Sequence, residues 1–218
     1  MSKLADWLLD VFFPNRCPCC GKVIRWDLLV CGKCAGELRR FDNSSDTPPE
    51  GCSASFSLYR YEGPAKPGIY SIKDGTGKNF IRFSADRIAP ELEDCGADLI
   101  TFVPRAKRKK REYGFDQAEM IAKALSGRMG IPCDSGLIAR RRDRTEQREL
   151  NAGERSIHAK SVYVPAKGAR DIKGRCILLA DDVRTTGATL EACTHILREA
   201  GASEVITVTL CRAVLDSD

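Results

Sequence analysis

The chain has 218 residues, with 35 basic and 30 acidic side chains, a formal net charge of +5 and 43% hydrophobic residues. This composition is typical of a globular protein with a buried core, and it excludes a disordered, collagenous or coiled-coil protein. No stretch approaches the roughly 20 apolar residues that a membrane-spanning helix requires, so we expect no membrane span.

The first 13 residues predict a short amphipathic helix over 2–13, which ends at Pro14. Asp6 and Asp10 interrupt its apolar residues, and no small-residue cleavage site follows, unlike in a signal peptide. Five of the 11 cysteines cluster within residues 17–34, and the others are scattered singly. These features favour a cytoplasmic protein with a metal site over a disulfide-bonded secreted one.

The cysteine cluster contains two C-x2-C pairs, Cys17 with Cys20 and Cys31 with Cys34, separated by ten residues. Two such pairs can place four thiolates tetrahedrally around one zinc ion. A cysteine-rich segment with so few apolar residues could hardly fold without a bound metal. All four ligands come from the protein, so we predict a structural Zn²⁺ site with no open position for catalysis. Cys19 is an additional thiol that can replace a neighbour or stay free.

A polar, proline-rich stretch over residues 42–53 predicts a linker. The predicted organisation is therefore an N-terminal helix and a four-cysteine zinc knuckle over 1–41, the linker, and an α/β domain over 54–218.

Strands and helices alternate through the predicted α/β domain. Strands are predicted at 54–61, 98–103, 161–164, 176–180 and 204–211, and helices at 66–73, 78–92, 115–129 and 188–200. This alternation favours a Rossmann-like parallel sheet covered on both faces. Ligands of such sheets bind beyond the carboxyl ends of the strands, so we expect the chemistry in the loops after Val103 and Ala180.

The positive charge is concentrated in two segments. Residues 105–111 hold six basic side chains and no acid, and residues 140–148 hold five basic and two acidic ones. The remaining chain has 24 basic against 28 acidic residues, a net of −4. Such segments bind phosphates of a metabolite or of nucleic acid, and the alternative is a pair of solvated loops.

The most informative stretch follows the strand at 176–180. Asp181 and Asp182 can accept hydrogen bonds from the hydroxyls of a ribose, and Thr185, Thr186 and Thr189 offer hydroxyl donors. Gly187 allows close backbone approach, and the following helix start directs N–H groups at an anion. A sugar phosphate would bind to both parts, its hydroxyls to the acids and its phosphate to the helix start. The alternative is an ordinary strand followed by a helix that Thr and Asp residues cap.

The string LLADDVRTTGAT over residues 178–189 resembles the phosphoribosyl-pyrophosphate (PRPP) motif of type I phosphoribosyltransferases. With the cysteine knuckle, Val103-Pro104 and its basic loop, and Arg144-x2-Gln147, the chain resembles the ComF family (competence protein F, amidophosphoribosyltransferase-like). Members often read R-G-F-N-Q where this chain has Tyr113-Gly-Phe-Asp116-Gln, which leaves the roles of Tyr113 and Asp116 open.

The resemblance implies a set of site residues. PRPP would be bound by Asp181, Asp182, Val183, Arg184, Thr185, Thr186, Gly187, Ala188 and Thr189, with the two acids also catalytic. A second loop with Pro104, Arg105 and Lys107 would bind pyrophosphate, and a lid with Arg144 and Gln147 would close over the ligand.

The resemblance leaves two main functions open. One is an enzyme that binds PRPP with Mg²⁺ and transfers phosphoribosyl to a nitrogen acceptor. The other is a non-catalytic DNA-uptake or recombination factor that binds single-stranded DNA or a DNA-processing partner such as a helicase. A regulator that senses PRPP without turnover is a third reading, and a homodimer is a candidate assembly.

Overall fold

We describe the fold from a computed structural model, which describes residues 14–106, 110–112, 114–141 and 162–214. The predicted helix at 2–13 lies outside these residues. Within them, no helix combines the length and the apolar character needed to cross a bilayer.

The elements follow the predicted alternation. The helices are α1 (Gly32–Glu37), α2 (Ala65–Lys73), α3 (Lys78–Ile88), α4 (Gln117–Met129) and α5 (Ala188–Glu199), with 3-10 turns at Asn43–Ser45 and Ala89–Leu92. The strands are β1 (Ala54–Arg60), β2 (Leu99–Phe102), β3 (Ile138–Arg140), β4 (Tyr163–Pro165), β5 (Cys176–Arg184) and β6 (Glu204–Arg212).

Four strands form the predicted parallel sheet, and their order is β1-β6-β5-β2. Side chains of β5 alternate between two apolar clusters, with Leu178 packing in one with Ile121 of α4 and Leu179 in the other with Leu190 of α5. Both faces of the sheet are therefore covered, which explains why its central strands are continuous apolar runs.

Two strand predictions are wrong in detail. The strand predicted at 161–164 is observed at Tyr163–Pro165, and it pairs antiparallel with the unpredicted β3 in a separate two-stranded sheet. The strand predicted to end at Ala180 continues to Arg184, because parallel pairing with β6 extends along its full length. Asp181 and Asp182 thus belong to β5 itself and not to a loop after Ala180.

The segment at 42–53 packs against the sheet. The Arg184 guanidinium donates to the Asp46 carboxylate at 2.6 Å, to Ser55 Oγ at 2.9 Å and to the Thr47 carbonyl at 2.5 Å. Asp46 also accepts a hydrogen bond from Arg212 Nε at 3.4 Å. A nearly fully buried ion pair therefore holds this segment beside the end of β5.

Candidate functional site

The two predicted phosphate loops meet because they follow neighbouring parallel strands, β2 and β5, at the same edge of the sheet. Phe102 of β2 pairs opposite Ala180 of β5, and the Val103 N–H donates to the Ala180 carbonyl at 3.0 Å. The chain after β2 therefore runs beside the paired acids, and a cavity of about 320 Å³ opens there. Its lining comprises residues 103–105, 116–118 and 181–190, together with Arg140 and Tyr163.

The paired acids are held at the cavity by local backbone bonds. Asp181 Oδ1 accepts the Asp182 N–H at 2.9 Å, and Asp182 Oδ1 accepts the Val183 N–H at 2.7 Å. Burial raises the pKa of Asp181 well above its ordinary value, and the charge of Asp182 adds to the rise, while the positive charge of Lys73 opposes it. A partner that donates hydrogen bonds or carries positive charge would stabilise the ionised pair.

The turn after β5 has the geometry of an anion-binding helix start. Gly187 has φ 94°, a conformation that L side chains rarely adopt, and it is the N-cap of α5. Gly187 has no side-chain oxygen to cap the helix, so the N-cap residue itself occupies none of the first-turn N–H groups, which suit an anion. Thr186 Oγ accepts the Ala188 N–H at 3.4 Å, which shapes the turn from within.

Arg184 differs from the rest of the predicted PRPP-binding string. Arg184 is one of the residues that line the cavity, but its guanidinium is bound to Asp46 and Thr47 on the segment at 42–53 and to Ser55 of β1. The side chain therefore anchors that segment, and its Nε also lies close to Gly187.

Of the predicted pyrophosphate and lid residues, Pro104 and Arg105 line the cavity. Lys107, Arg144 and Gln147 lie outside the described residues. Lys110 of the same basic run pairs with Glu119 at 2.6 Å, so part of that run's charge is neutralised within the protein.

Four polar residues of the cavity lining are additional to the predicted site: Asp116, Gln117, Arg140 and Tyr163. Arg140 Nη1 lies 3.5 Å from the Tyr163 hydroxyl, and its guanidinium lies 5.4 Å from the centre of that ring. These two residues face each other across β3 and β4, a pairing between distant parts of the chain. Asp116 had a local signal, since an Asp three residues before Glu119 is typical of a helix N-cap.

The metal centre brings the four predicted ligands together. The Sγ atoms of Cys17, Cys20, Cys31 and Cys34 lie within 4.8 Å of one another. Burial acts to raise the pKa of Cys17, but backbone hydrogen bonds from Cys31, Cys19 and Cys20 outweigh it and the pKa falls to about 7. A thiol near its ionised state is suited to zinc, which binds thiolates.

Cys19 is separate from that cluster. Burial raises its pKa to about 12, with a contribution from the charge of Cys17, so Cys19 remains a protonated thiol. It packs in the apolar cluster together with Leu38 and Val30, which joins the knuckle to the sheet domain.

Comparison with known proteins assigns both parts of the chain. A phosphoribosyl transferase domain model matches residues 116–215, and a double zinc ribbon domain model matches residues 8–45. The zinc-ribbon match contains five cysteines and no histidine, enough for one four-ligand site. The chain thus has a phosphoribosyltransferase-type domain preceded by a zinc ribbon with a structural zinc site.

Two individual proteins are similar in sequence to this chain. Competence protein F of Haemophilus influenzae is 31% identical over 53% of this chain, a match that spans 51% of that protein. DNA utilization protein YhgH of Escherichia coli K12 is 24% identical over 91% of this chain and 84% of its own length. The chain is therefore similar in sequence to both of these proteins.

Among solved structures, purine phosphoribosyltransferase from Pyrococcus horikoshii matches 62% of this chain and 77% of its own, with 21% identity and a TM-score of 0.41.

Proposed function

We propose that this protein binds PRPP together with Mg²⁺ and transfers the phosphoribosyl group to a nitrogen acceptor, releasing pyrophosphate. The observation that carries the proposal is the single cavity that joins the paired acids, the Gly187 turn and the loop after β2. These three features match the ribose hydroxyls, the 5′-phosphate and the pyrophosphate of one PRPP molecule.

Each feature has a separate task in this proposal. Asp181 and Asp182 accept hydrogen bonds from the ribose hydroxyls and stabilise positive charge that develops on the sugar as pyrophosphate departs. The N–H groups after Gly187 bind the 5′-phosphate. Arg105 and Arg140 carry positive charge beside the departing pyrophosphate.

Magnesium fits this site as an ion that arrives with its substrate. Within the described residues, the four cysteines are the one group of three or more ligand side chains that could hold a metal. The described residues of the cavity therefore form no complete set of protein ligands for a metal, but the carboxylates of Asp181 and Asp182 offer the oxygen ligands that Mg²⁺ takes beside substrate phosphates. Bound Mg²⁺ would neutralise phosphate charge.

The binding test is calorimetric titration of PRPP with Mg²⁺ into wild type and the Asp181→Asn/Asp182→Asn double variant. We expect at least ~100-fold weaker binding by the variant, because charge-assisted hydrogen bonds to the ribose are lost. Asp94→Asn removes an exposed carboxylate outside the cavity and should bind as wild type does. Equal binding by wild type and the double variant would reject the site.

Transfer is tested separately from binding. Pyrophosphate release from PRPP is measured with ammonia, glutamine and a set of nucleobases as acceptors. Release that depends on one acceptor and is lost in the double variant supports a transferase. Binding without any acceptor-dependent release supports a PRPP-sensing regulator.

A second function, binding of single-stranded DNA in DNA uptake or recombination, is favoured by Trp26 on the zinc ribbon. Its side chain is 74% exposed, and Lys22 and Arg25 are exposed neighbours in the sequence. An exposed aromatic ring with nearby cations is what base stacking on single strands requires. This surface supplies an aromatic group that the basic loops lack.

The DNA-binding test is the affinity for a labelled single-stranded oligonucleotide at several salt concentrations. Trp26→Ala should weaken binding about 5- to 100-fold, while Trp26→Phe, which keeps a ring, should retain most of it. Affinity should also fall steeply as salt rises. Binding that ignores both salt and Trp26→Ala would reject this surface. Light scattering on the same samples tests the predicted homodimer.

A further inference from the structure

Asp116 joins the two elements that border the candidate pyrophosphate side of the cavity. It is the N-cap of α4, and its Oδ1 accepts the Glu119 N–H at 3.5 Å. Its Oδ2 accepts the Arg105 N–H at 2.7 Å from the loop after β2. Only 4% of the residue is exposed, so one buried carboxylate connects that loop to the helix start.

The loop after β2 has a backbone hydrogen bond on each side of this contact. The Val103 N–H donates to the Ala180 carbonyl at 3.0 Å, and the Lys110 N–H donates to the Ala106 carbonyl at 2.9 Å. Arg105 lies between these bonds, and its own N–H is bound by Asp116. The carboxylate therefore holds the backbone of Arg105, which is one of the residues that line the cavity.

A carboxylate beside a site for a polyanion is electrostatically unfavourable unless it has another task. Burial raises the pKa of Asp116, and the N–H bonds from Arg105 and Glu119 and the charge of Lys110 oppose that rise. Both oxygens accept backbone N–H bonds, which an asparagine with one oxygen could not reproduce. The two-point contact accounts for an acid at this position.

We infer that Asp116 is a positioning residue that holds the loop at 103–106 in place for the pyrophosphate half of PRPP. This inference rests on the proposed function, because it assigns a role within the same site. Asp116 acts through the Arg105 backbone and not by contact with the reacting sugar. The ribose 5-phosphate half of the ligand, held by the turn at 185–189, should not depend on it.

The test compares two ligands, pyrophosphate with Mg²⁺ and ribose 5-phosphate, in wild type, Asp116→Ala and Asp116→Asn. We expect Asp116→Ala to weaken pyrophosphate binding about tenfold and to leave ribose 5-phosphate binding within about twofold. Asp116→Asn keeps one acceptor and should fall between wild type and Asp116→Ala for pyrophosphate. A purely structural cap would not separate the two ligands.

Hydrogen exchange at the Arg105 amide reports the contact directly. Exchange there should speed up in Asp116→Ala and less so in Asp116→Asn, with the Val103 amide unchanged. The control is Asp134→Ala, which removes another carboxylate that accepts a backbone N–H, from Gly136 at 2.7 Å, outside the cavity. It should leave both ligand affinities unchanged.

The outcomes separate the inference from the function on which it rests. Equal losses for both ligands, or no loss for either, in Asp116→Ala and Asp116→Asn would overturn the positioning role. If Asp116→Ala does not fold, Asp116→Asn alone decides, by the same ligand comparison and the Arg105 exchange rate. Failure of the wild type to bind PRPP or pyrophosphate would overturn the proposed function, and the inference with it.

Discussion

The zinc ribbon and the sheet domain are stabilised by different means. In the ribbon, residues 14–41, the buried apolar side chains are chiefly cysteines, while Val23, Trp26 and Leu28 are exposed. In the sheet domain, strands such as β5 bury aliphatic residues on both faces. The ribbon depends on metal ligands for cohesion, whereas the sheet depends on apolar burial and leaves polar groups free at its strand ends.

The largest expected effect tests this dependence on metal. Cys34→Ser should abolish zinc binding and unfold the ribbon, since structural zinc contributes about 10–16 kcal/mol in zinc-finger peptides. The sheet domain should stay folded, because its core lies in its own strands and helices. Metal analysis and hydrogen exchange of the two regions measure this. Cys95→Ser, outside the cluster, should retain zinc, and loss of exchange protection throughout β5 in Cys34→Ser would contradict the separation.

The next largest effect concerns the buried contact between the segment at 42–53 and the sheet. Asp46→Ala leaves Arg184 buried without its carboxylate and should lower the free energy of unfolding by about 3–5 kcal/mol. The matched control is Asp27→Ala, which breaks an exposed pair with Arg25 on the ribbon and should cost less than about 1 kcal/mol. Urea denaturation compares them, and equal losses would show that burial of the pair is unimportant.

At the paired acids we expect a smaller effect of opposite sign, an increase in stability. Because the folded-state pKa of Asp181 is raised, the folded protein holds a proton that the unfolded chain releases, and stability falls as pH rises from the unfolded pKa through the folded one. Asp181→Asn removes this loss of stability at high pH, so the Tm of the variant should exceed that of wild type at pH 7.5. The difference in Tm should be smaller at pH 4. The same variant should bind PRPP poorly. A difference in Tm that does not change with pH would show that the raised pKa of Asp181 is not its cause.

The smallest effect is expected at Trp26. Trp26→Ala should change the free energy of unfolding by less than about 0.5 kcal/mol, because its side chain is 74% exposed. Leu178→Ala in β5, fully buried, should cost about 2–5 kcal/mol. A large loss at Trp26 would show that this ring contributes to the ribbon's own packing.

Local patterns predicted much of this architecture. The helices at Ala65–Lys73 and Ala188–Glu199 were expected within one residue at each end, because their periodicity and their flanking glycines are local signals. The hairpin of β3 and β4 was not predicted, because strand pairing depends on a partner over 20 residues away. Such pairing leaves little trace in a three-residue strand.

The candidate site likewise contains features that the sequence predicted and features that it did not. Spacing alone predicted which four cysteines cluster, and the string at 181–189 predicted one wall of the cavity. Neither predicted that the Arg184 guanidinium binds Asp46, because that contact joins residues 138 positions apart. Nor did they predict that Asp116 holds the Arg105 amide.

By itself, the sequence predicted which four cysteines lie together, the parallel α/β fold and the acid and threonine residues of the cavity, since these depend on residue type and short spacing. Only the tertiary structure decided that β5 extends through the paired acids and that Arg184 faces the segment at 42–53. It also brought Asp116, Arg140 and Tyr163 to the cavity. Strand register and buried ion pairs are set by packing between distant segments, which no local pattern specifies.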